Sequence, residues 1–478
     1  MRYRRILLLN PYYPYTRFGA FRPPAGLGYI AEALRRQNIE YDVLDMALGY
    51  RRSALMKRVK EFSPDLIAIT MMTYMYKNTY SILAGIKDKF PDVKIAAGGP
   101  HIATSGEDVL KECEAIDFGI VCEGENAIVE LCKNKEINTI KGLLYKEGAS
   151  IAYNGDRPFT ENLDSIPFPT YEEFELNKYM LKEIDLVTSR GCPYGCIYCT
   201  VRLASGTNVR MRSASYVADE IEYWHRRGYR NLEIADDNFS FDKDRVHRIC
   251  EEISKRRLSG LNLRCGNGLR ADKVDYDLFK HMKEVGFCHV AFGVESGSAT
   301  VLKAMKKGES LEILKKAIKT ACELDFDVTL FFIIGLPGET ESTLQETFRL
   351  ASKYPVMEAK FFNPIPYPKT ELFQWTKSSN LFLIAPEKYL NDFNSFVFKP
   401  VYETAEFSAD QRKKALKASD WVRKGILRKS IKKKLRKYGP LAYIFAFLYT
   451  IPFIERLFRE DIKFRRFVDF VTFAREGI

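Results

Sequence analysis

Short apolar runs alternate with amphipathic stretches along the first 135 residues of the chain. The runs at 5–9, 41–44, 66–70, 94–97 and 118–121 predict strands. Helical spacing of apolar positions at 26–37, 53–62, 78–90 and 126–133 predicts helices between them. This alternation predicts a doubly wound parallel sheet. Turn signals stand where strands should end: Asn10-Pro11, Gly98-Gly99-Pro100-His101 and Glu123-Gly124-Glu125. In such sheets ligands bind beyond the carboxyl ends of the strands. No GxGxxG opens the first helix, which argues against a dinucleotide site.

The pattern changes over 138–182. Two short runs, 142–145 and 150–153, flank Glu147-Gly148 and predict a hairpin. Ile166-Pro167-Phe168-Pro169 cannot be helical and reads as a linker. From Asp185 the rhythm resumes, with strands expected at 185–189, 231–235, 262–265, 289–294, 327–334 and 358–363. Helical patterns at 214–227, 243–256, 276–285, 311–324 and 341–354 separate them. Six such units suit a parallel barrel, complete or partial. After residue 400 the chain turns helical and basic. The expected boundaries are 1–137, 138–182, 183–400 and 401–478.

Composition narrows this picture. A chain of 478 residues calls for two or three domains. Hydrophobic residues at 46% and charged residues at 28% describe a globular protein. The start is basic, but the apolar run at 6–9 is too short for a signal peptide. The expected compartment is the cytoplasm, where thiols stay reduced. The net charge of +12 is local: residues 412–437 hold thirteen Lys or Arg and one acid, Asp420, so the rest sums to zero. No recognisable RNA module accompanies that charge, which disfavours nucleic acid as a partner. An apolar stretch at 441–454 follows, broken by Pro452, and the tail ends in mixed charge and aromatics. It is shorter than the ~20 residues that span a bilayer. A basic stretch beside an aromatic one suits peripheral attachment to anionic lipid through 412–458. The alternative is a helix that packs on the barrel and keeps a solvated basic face.

Of ten cysteines, seven are scattered singly and read as small core residues. Cys192, Cys196 and Cys199 fall within eight residues, directly after the first strand of the second set. Three thiolates at this spacing can hold three corners of an iron–sulfur cube. Gly191, Pro193 and Gly195 let the backbone wrap closely around it. With no fourth cysteine nearby, one iron stays open to a ligand, the mark of a catalytic centre. Structural zinc wants four ligands, usually as two CxxC pairs, and no second pair exists.

CxxxCxxC with an aromatic, Tyr198, before the last cysteine resembles the radical SAM superfamily. That resemblance implies a [4Fe-4S] cluster and S-adenosylmethionine (SAM) as cofactors. It also implies roles at successive strand ends. Asp236-Asp237-Asn238 would contact the methionine end of SAM, and Arg270 its carboxylate. Glu295-Ser296 would bind the ribose hydroxyls, and Gly335 would lie beside the adenine. The implied chemistry is reductive opening of SAM to a 5′-deoxyadenosyl radical that abstracts hydrogen from the substrate. One-electron reduction would come from an external donor such as flavodoxin or ferredoxin.

A doubly wound domain in front of such a core resembles the cobalamin-dependent radical SAM enzymes, over roughly residues 1–400. The fold class is then α/β: a Rossmann-like domain, a partial (β/α)6 TIM-like barrel and a helical basic C-terminal region. The resemblance implies cobalamin contacts from Thr70, Gly98, Gly99, His101 and Glu123. The Asp-x-His-x-x-Gly motif that puts histidine on cobalt is missing, and His101 is the only histidine before residue 200. Loop residues such as 70–74 would then face the cobalt. The alternative is a domain that binds no corrin and shapes the substrate cleft. The implied reaction is methylation of a carbon centre in a small-molecule substrate, with the tail favouring a hydrophobic or lipid-like one. The rivals are a radical cyclase, oxidoreductase or coupling enzyme without net methyl transfer, and a non-catalytic Fe–S or zinc protein that associates with membranes.

Overall fold

A computed structural model describes residues 1–12 and 20–460. The last stretch of the tail, read as mixed charge and aromatics, lies outside the described residues. The chain divides into two compact units. One comprises Met1–Asn238 with Ile365–Phe393, the other Phe239–Pro364 with Asn394–Ile478.

The first unit opens with strands β1 (Arg5–Asn10), β2 (Glu40–Asp45), β3 (Leu66–Thr70), β4 (Lys94–Gly98) and β5 (Phe118–Ile120). They pair in parallel in the order β2-β1-β3-β4-β5. Strand β1 lies between β2 and β3, and its Ile6, Leu7, Leu8 and Leu9 have no exposed surface. A strand covered on both faces needs such an unbroken apolar run. The expected helices appear within two residues of their predicted bounds, as Ala25–Arg36, Arg52–Phe62, Tyr76–Lys89 and Glu125–Cys132.

The predicted hairpin forms β6 (Leu143–Glu147) and β7 (Ser150–Tyr153). It joins the same sheet, with β6 antiparallel to β5. Leu143 and Leu144 are buried, so the hairpin covers what would be an open edge at β5. The residues expected to lie in a linker thus complete the first sheet.

The same unit carries β8 (Glu183–Leu186), β9 (Ser189–Arg190), β10 (Arg210–Met211) and β11 (Asn231–Ile234). Strands β8 and β11 are parallel, and β9 pairs antiparallel with β10. That short ribbon flanks the cysteine loop and was not predicted, because two-residue strands leave no period to read.

The second unit contains β12 (Asn262–Leu269), β13 (Phe287–Glu295), β14 (Asp327–Ile333) and β15 (Glu358–Phe362), all parallel in chain order. Helices alternate with them, as expected of β/α units. The long helix Ala409–Lys434 packs on β15 and on the helix Glu341–Ala351. Ser408 and Gln411 form a capping box at its start.

Candidate active site

Cys192, Cys196 and Cys199 lie on the loop between β9 and the short helix Val201–Ser205, each partly buried and in no disulfide. The chain enters this loop through Gly191, at φ +97°, where a Cβ would lie 2.3 Å from the Asn208 carbonyl oxygen. Only glycine satisfies both conditions. The Cys192 N–H donates to the Gly206 carbonyl at 3.2 Å and the Cys199 N–H to that of Cys196 at 3.1 Å. Burial lifts the Cys199 thiol to about 11, and the neighbouring Cys196 and Cys192 add to the rise. Three thiols so close that they oppose one another's ionisation form a donor set that a cationic cluster would stabilise as thiolates. Among the described residues no three His, Cys, Asp or Glu side chains form a site for a single ion. A cube places each thiolate on its own iron, so its ligands need not converge on one point.

Residues at the end of β11 brace this loop. Asp236 is buried and accepts from the Thr188 N–H at 2.5 Å, the Thr188 hydroxyl at 2.6 Å and the Ser189 hydroxyl at 2.7 Å. Asp237 accepts from the Gly191 N–H at 2.9 Å. In this structure Asp236 holds the approach to the cysteines instead of presenting its carboxylate to a ligand. Asn238 differs: it is buried, and neither its amide oxygen nor its nitrogen has a hydrogen-bond partner. A buried amide without partners costs stability unless a polar ligand meets it. That fits SAM as its partner.

A cavity within the first unit lies beyond the carboxyl ends of β3, β4 and β5. Thr70, Gly98, Gly99 and Glu123 line it, with Ala68 and Ala96 among the small residues of its wall. Ser189 and Arg190, which lead into the cysteine loop, line it too, as does Asp237. A wall of small residues leaves room for a flat, bulky group, which fits cobalamin. Gly99, at φ +97°, could not carry a Cβ without meeting Met71 backbone at 3.0 Å.

Two expectations change here. His101 does not line the cavity; it is buried, stacks on Tyr76 at 4.3 Å and shares a hydrogen bond with Tyr80 at 3.1 Å. Burial lowers it to about 4, so it is a neutral packing residue. His101 stands in the first turn of the helix that the Gly99-Pro100 turn starts, and its side chain packs against Tyr76 and Tyr80. Glu123 does line the cavity, but its carboxylate is engaged. It accepts from Arg190 at 3.1 Å, Arg210 at 2.6 Å and the Thr160 N–H at 2.9 Å. Arg190 also reaches Glu125 at 2.7 Å and lies over the Tyr29 ring at 4.9 Å. This network, missed in the sequence, ties the loop after β5 to the residue two before Cys192. Its only local signal was an arginine abutting the cysteine motif.

In the second unit the predicted residues again stand at strand ends. Arg270 donates to Asp272 at 2.9 Å and to the carbonyls of Lys307 and Gly308 at 3.0 and 3.2 Å. Lys307 pairs with Glu295 at 3.3 Å and with Glu309 at 3.5 Å. Arg270, expected to meet a carboxylate of SAM, is therefore already held by Asp272 and backbone oxygens. Glu295 sits at φ +63°, an uncommon conformation for a residue with a side chain. Ser296 lies 3.3 Å from the Thr347 hydroxyl. Gly335, at φ +104°, packs against the Arg412 guanidinium, which a Cβ would meet at 2.9 Å. Tyr198 is partly buried, one position before Cys199.

One buried acid stands outside these networks. Glu220, on the helix Ala214–Arg226, has both carboxyl oxygens without hydrogen-bond partners, and so has the indole nitrogen of Trp224 one turn on. Burial raises its carboxyl to about 8, with Arg212 opposing and Asp236 adding. The folded protein thus keeps a proton that the unfolded chain releases near 4.5. Its contribution to stability is complete below 4.5 and is lost as pH rises through about 8. The cost at alkaline pH is roughly 3–5 kcal/mol. Glu220→Gln should flatten the fall of the urea midpoint between pH 4.5 and about 8; parallel curves for the two proteins would refute this.

Three thiols on a loop whose flanking residues line the cavity of a Rossmann-like domain fit an enzyme that works through a metal cluster and a second bulky cofactor. Comparison with known proteins makes this specific. Residues 186–351 match the radical SAM superfamily, and residues 16–132 match the B12 binding domain. An uncharacterized methyltransferase of Pyrococcus horikoshii is 31% identical over 425 residues, covering 86% of this chain and 91% of that protein. The anaerobic magnesium-protoporphyrin IX monomethyl ester cyclase of Cereibacter sphaeroides is 27% identical, over 77% of this chain and 63% of its own length. The fold of OxsB, a cobalamin-dependent SAM radical enzyme, matches with a TM-score of 0.77 at 16% identity, over 99% of this chain and 75% of that one. The chain belongs to the radical SAM superfamily, in the group that carries a B12-binding domain. It is an enzyme whose cofactors are a [4Fe-4S] cluster, SAM and cobalamin.

Proposed function

We propose that this enzyme methylates a carbon centre of a hydrophobic or lipid-like substrate. One observation carries the reading: the B12-domain strand ends and the residues on either side of the cysteine loop, Ser189, Arg190, Ala204 and Ser205, line one cavity, so both cofactors would lie near one substrate. When bound, these cofactors supply a radical from one SAM and a methyl group from another.

The chain's own residues bind, orient and exclude water. Cys192, Cys196 and Cys199 would hold the cluster. Asp236 and Asp237 fix their loop by accepting from Thr188, Ser189 and Gly191. The unpartnered amide of Asn238 would orient SAM. Gly98, Gly99 and Thr70 would leave room for the corrin. No histidine lines that cavity among the described residues, so no imidazole would meet the cobalt from it. Arg190 positions the cysteine loop against the B12 domain through Glu123 and Glu125. A reduced one-electron donor protein would supply the electron, in a cytoplasmic setting suited to cysteines that form no disulfide.

Product counting tests the reading. Anaerobic enzyme with reductant, SAM and a lipid extract should release 5′-deoxyadenosine and S-adenosylhomocysteine in equal amounts, since each methylation consumes one SAM for each product. Deoxyadenosine without S-adenosylhomocysteine would instead support a cyclase-like reaction, the second reading favoured by the Cereibacter relative.

A further inference from the structure

The helix Leu441–Tyr449 is packed the reverse of a soluble amphipathic helix. Its small residues face inward: Ala442 is 2% exposed and Ala446 fully buried, one turn apart. Its large apolar residues face outward. Leu441, Tyr443, Ile444 and Phe447 are each more than half exposed. Phe453, at 66%, follows on the next helix, and Trp421, at 76%, stands on the long basic helix. Monomeric proteins rarely leave such a patch uncovered.

The neighbouring charge says what covers it. The Lys432 ammonium lies 4.1 Å from the Tyr443 ring centroid, and the Arg428 guanidinium 5.0 Å from that of Phe447. Lys429, Lys432 and Arg436 have no carboxylate partner among the described residues. Three other cations of this segment are engaged within the fold. Lys433 pairs with Asp325, Lys434 with Asp327, and Arg412 is buried against Tyr402. A two-fold contact between copies would set these unpaired cations against their own kind. An anionic lipid surface satisfies both features at once, burying the rings and neutralising the rim. Among the described residues no helix is long and apolar enough to cross a membrane.

We infer that the outer face of Leu441–Tyr449, rimmed by Lys429, Lys432 and Arg436, docks the enzyme peripherally on anionic lipid. This stands independently of which reaction the cavity performs.

Sedimentation of the full-length holoprotein with vesicles tests it. Vesicles of phosphatidylcholine with a quarter phosphatidylglycerol should bind the protein at least ~10-fold more tightly than phosphatidylcholine alone. High salt should weaken that binding. Trp421 fluorescence should shift to the blue on binding. Ile444→Glu with Phe447→Glu should lower affinity at least ~10-fold. Both side chains are exposed, so the thermal midpoint and cobalamin content should not change. Lys429→Glu with Lys432→Glu should lose the preference for anionic lipid. Failure of the wild type to bind anionic vesicles, or equal binding by the first double variant, would overturn the proposal. So would a stable dimer that the same variant dissociates, which would assign the face to a second copy.

Discussion

Cys199→Ala abolishes 5′-deoxyadenosine formation, as do Cys192→Ala and Cys196→Ala, each by on the order of 10³-fold or more. The expectation rests on how the three thiols are held. They share one loop, pinned by Asp236 and Asp237 at one end and by the Cys192-to-Gly206 hydrogen bond near the other. The metal-free loop favours protonated sulfur, because burial and mutual repulsion push Cys199 up to about 11. A cluster must therefore displace those protons, and it does so only when every corner thiolate contributes. With one cysteine gone, the two left cannot hold the cube, and SAM finds no open iron. The effect should be local. Iron and sulfide content should fall in all three variants while cobalamin content stays near wild type. Cys288→Ala provides the control: Cys288 lies on β13, with its thiol toward the Leu263 carbonyl at 3.6 Å, and its loss should leave the product intact. Persistent deoxyadenosine in any of the three loop variants would refute the assignment.

The second large effect is expected at Arg190. Its guanidinium serves Glu123 and Glu125 together, and the side chains of all three are about nine-tenths buried. Burial alone would raise the Glu123 carboxyl. The Thr160 N–H and the Arg190 and Arg210 guanidiniums instead hold it below its ordinary range. Arg190→Met would leave Glu125 without its ion-pair partner and Glu123 with Arg210 alone. Removing one member of a buried ion pair costs about 3–5 kcal/mol. A depressed carboxyl contributes stability above its unfolded pKa and loses it as pH falls through the folded one. The Arg190→Met defect should therefore be greatest at neutral pH and shrink toward pH 4 (roughly the carboxylate range), where protonation relieves the stranded acids. A merely steric role would give the same defect at every pH. Arg190→Lys should recover part of the loss, since an ammonium can meet one carboxylate but cannot fork to two. The cobalamin spectrum of the purified protein gives a separate readout: the loop after β5 lines the cavity, so its loosening should lower the cobalamin retained.

The tail shows how pattern and packing diverge. Counted along the sequence, residues 412–437 form one basic block. In the fold that block is several different things. Arg412 is a core residue that donates to the Tyr402 and Phe407 carbonyls at 3.0 and 3.1 Å. Arg423 is half of a two-bond pair with Glu455 at 2.8 and 3.0 Å. Lys429, Lys432 and Arg436 have no carboxylate partner among the described residues, and Lys432 lies over the Tyr443 ring of the exposed aromatic helix. The inner face of the tail therefore packs, as one expectation had it, and its outer face is exposed.

By itself the sequence determined the two β/α sets, the hairpin and the cysteine loop. Each of these is written in local terms: a repeat of apolar positions, a glycine turn, or a spacing between thiols. The carboxyl ends of the strands followed too, and Thr70, Gly98, Gly99 and Asp237, which stand there, line the cavity. What those side chains touch was decided only by the tertiary structure. Asp236, Glu123 and Arg270 were expected to face ligands. Each instead holds protein groups brought close by the fold: Thr188 and Ser189 for Asp236, Arg190 and Arg210 for Glu123, and Asp272 for Arg270. His101 was drawn into a stack with Tyr76, and Arg190 emerged as the residue joining two loops 65 positions apart. A motif fixes where on the backbone a charge stands. Which partner satisfies it depends on distances between segments far apart in the chain, and those exist only once the chain is packed.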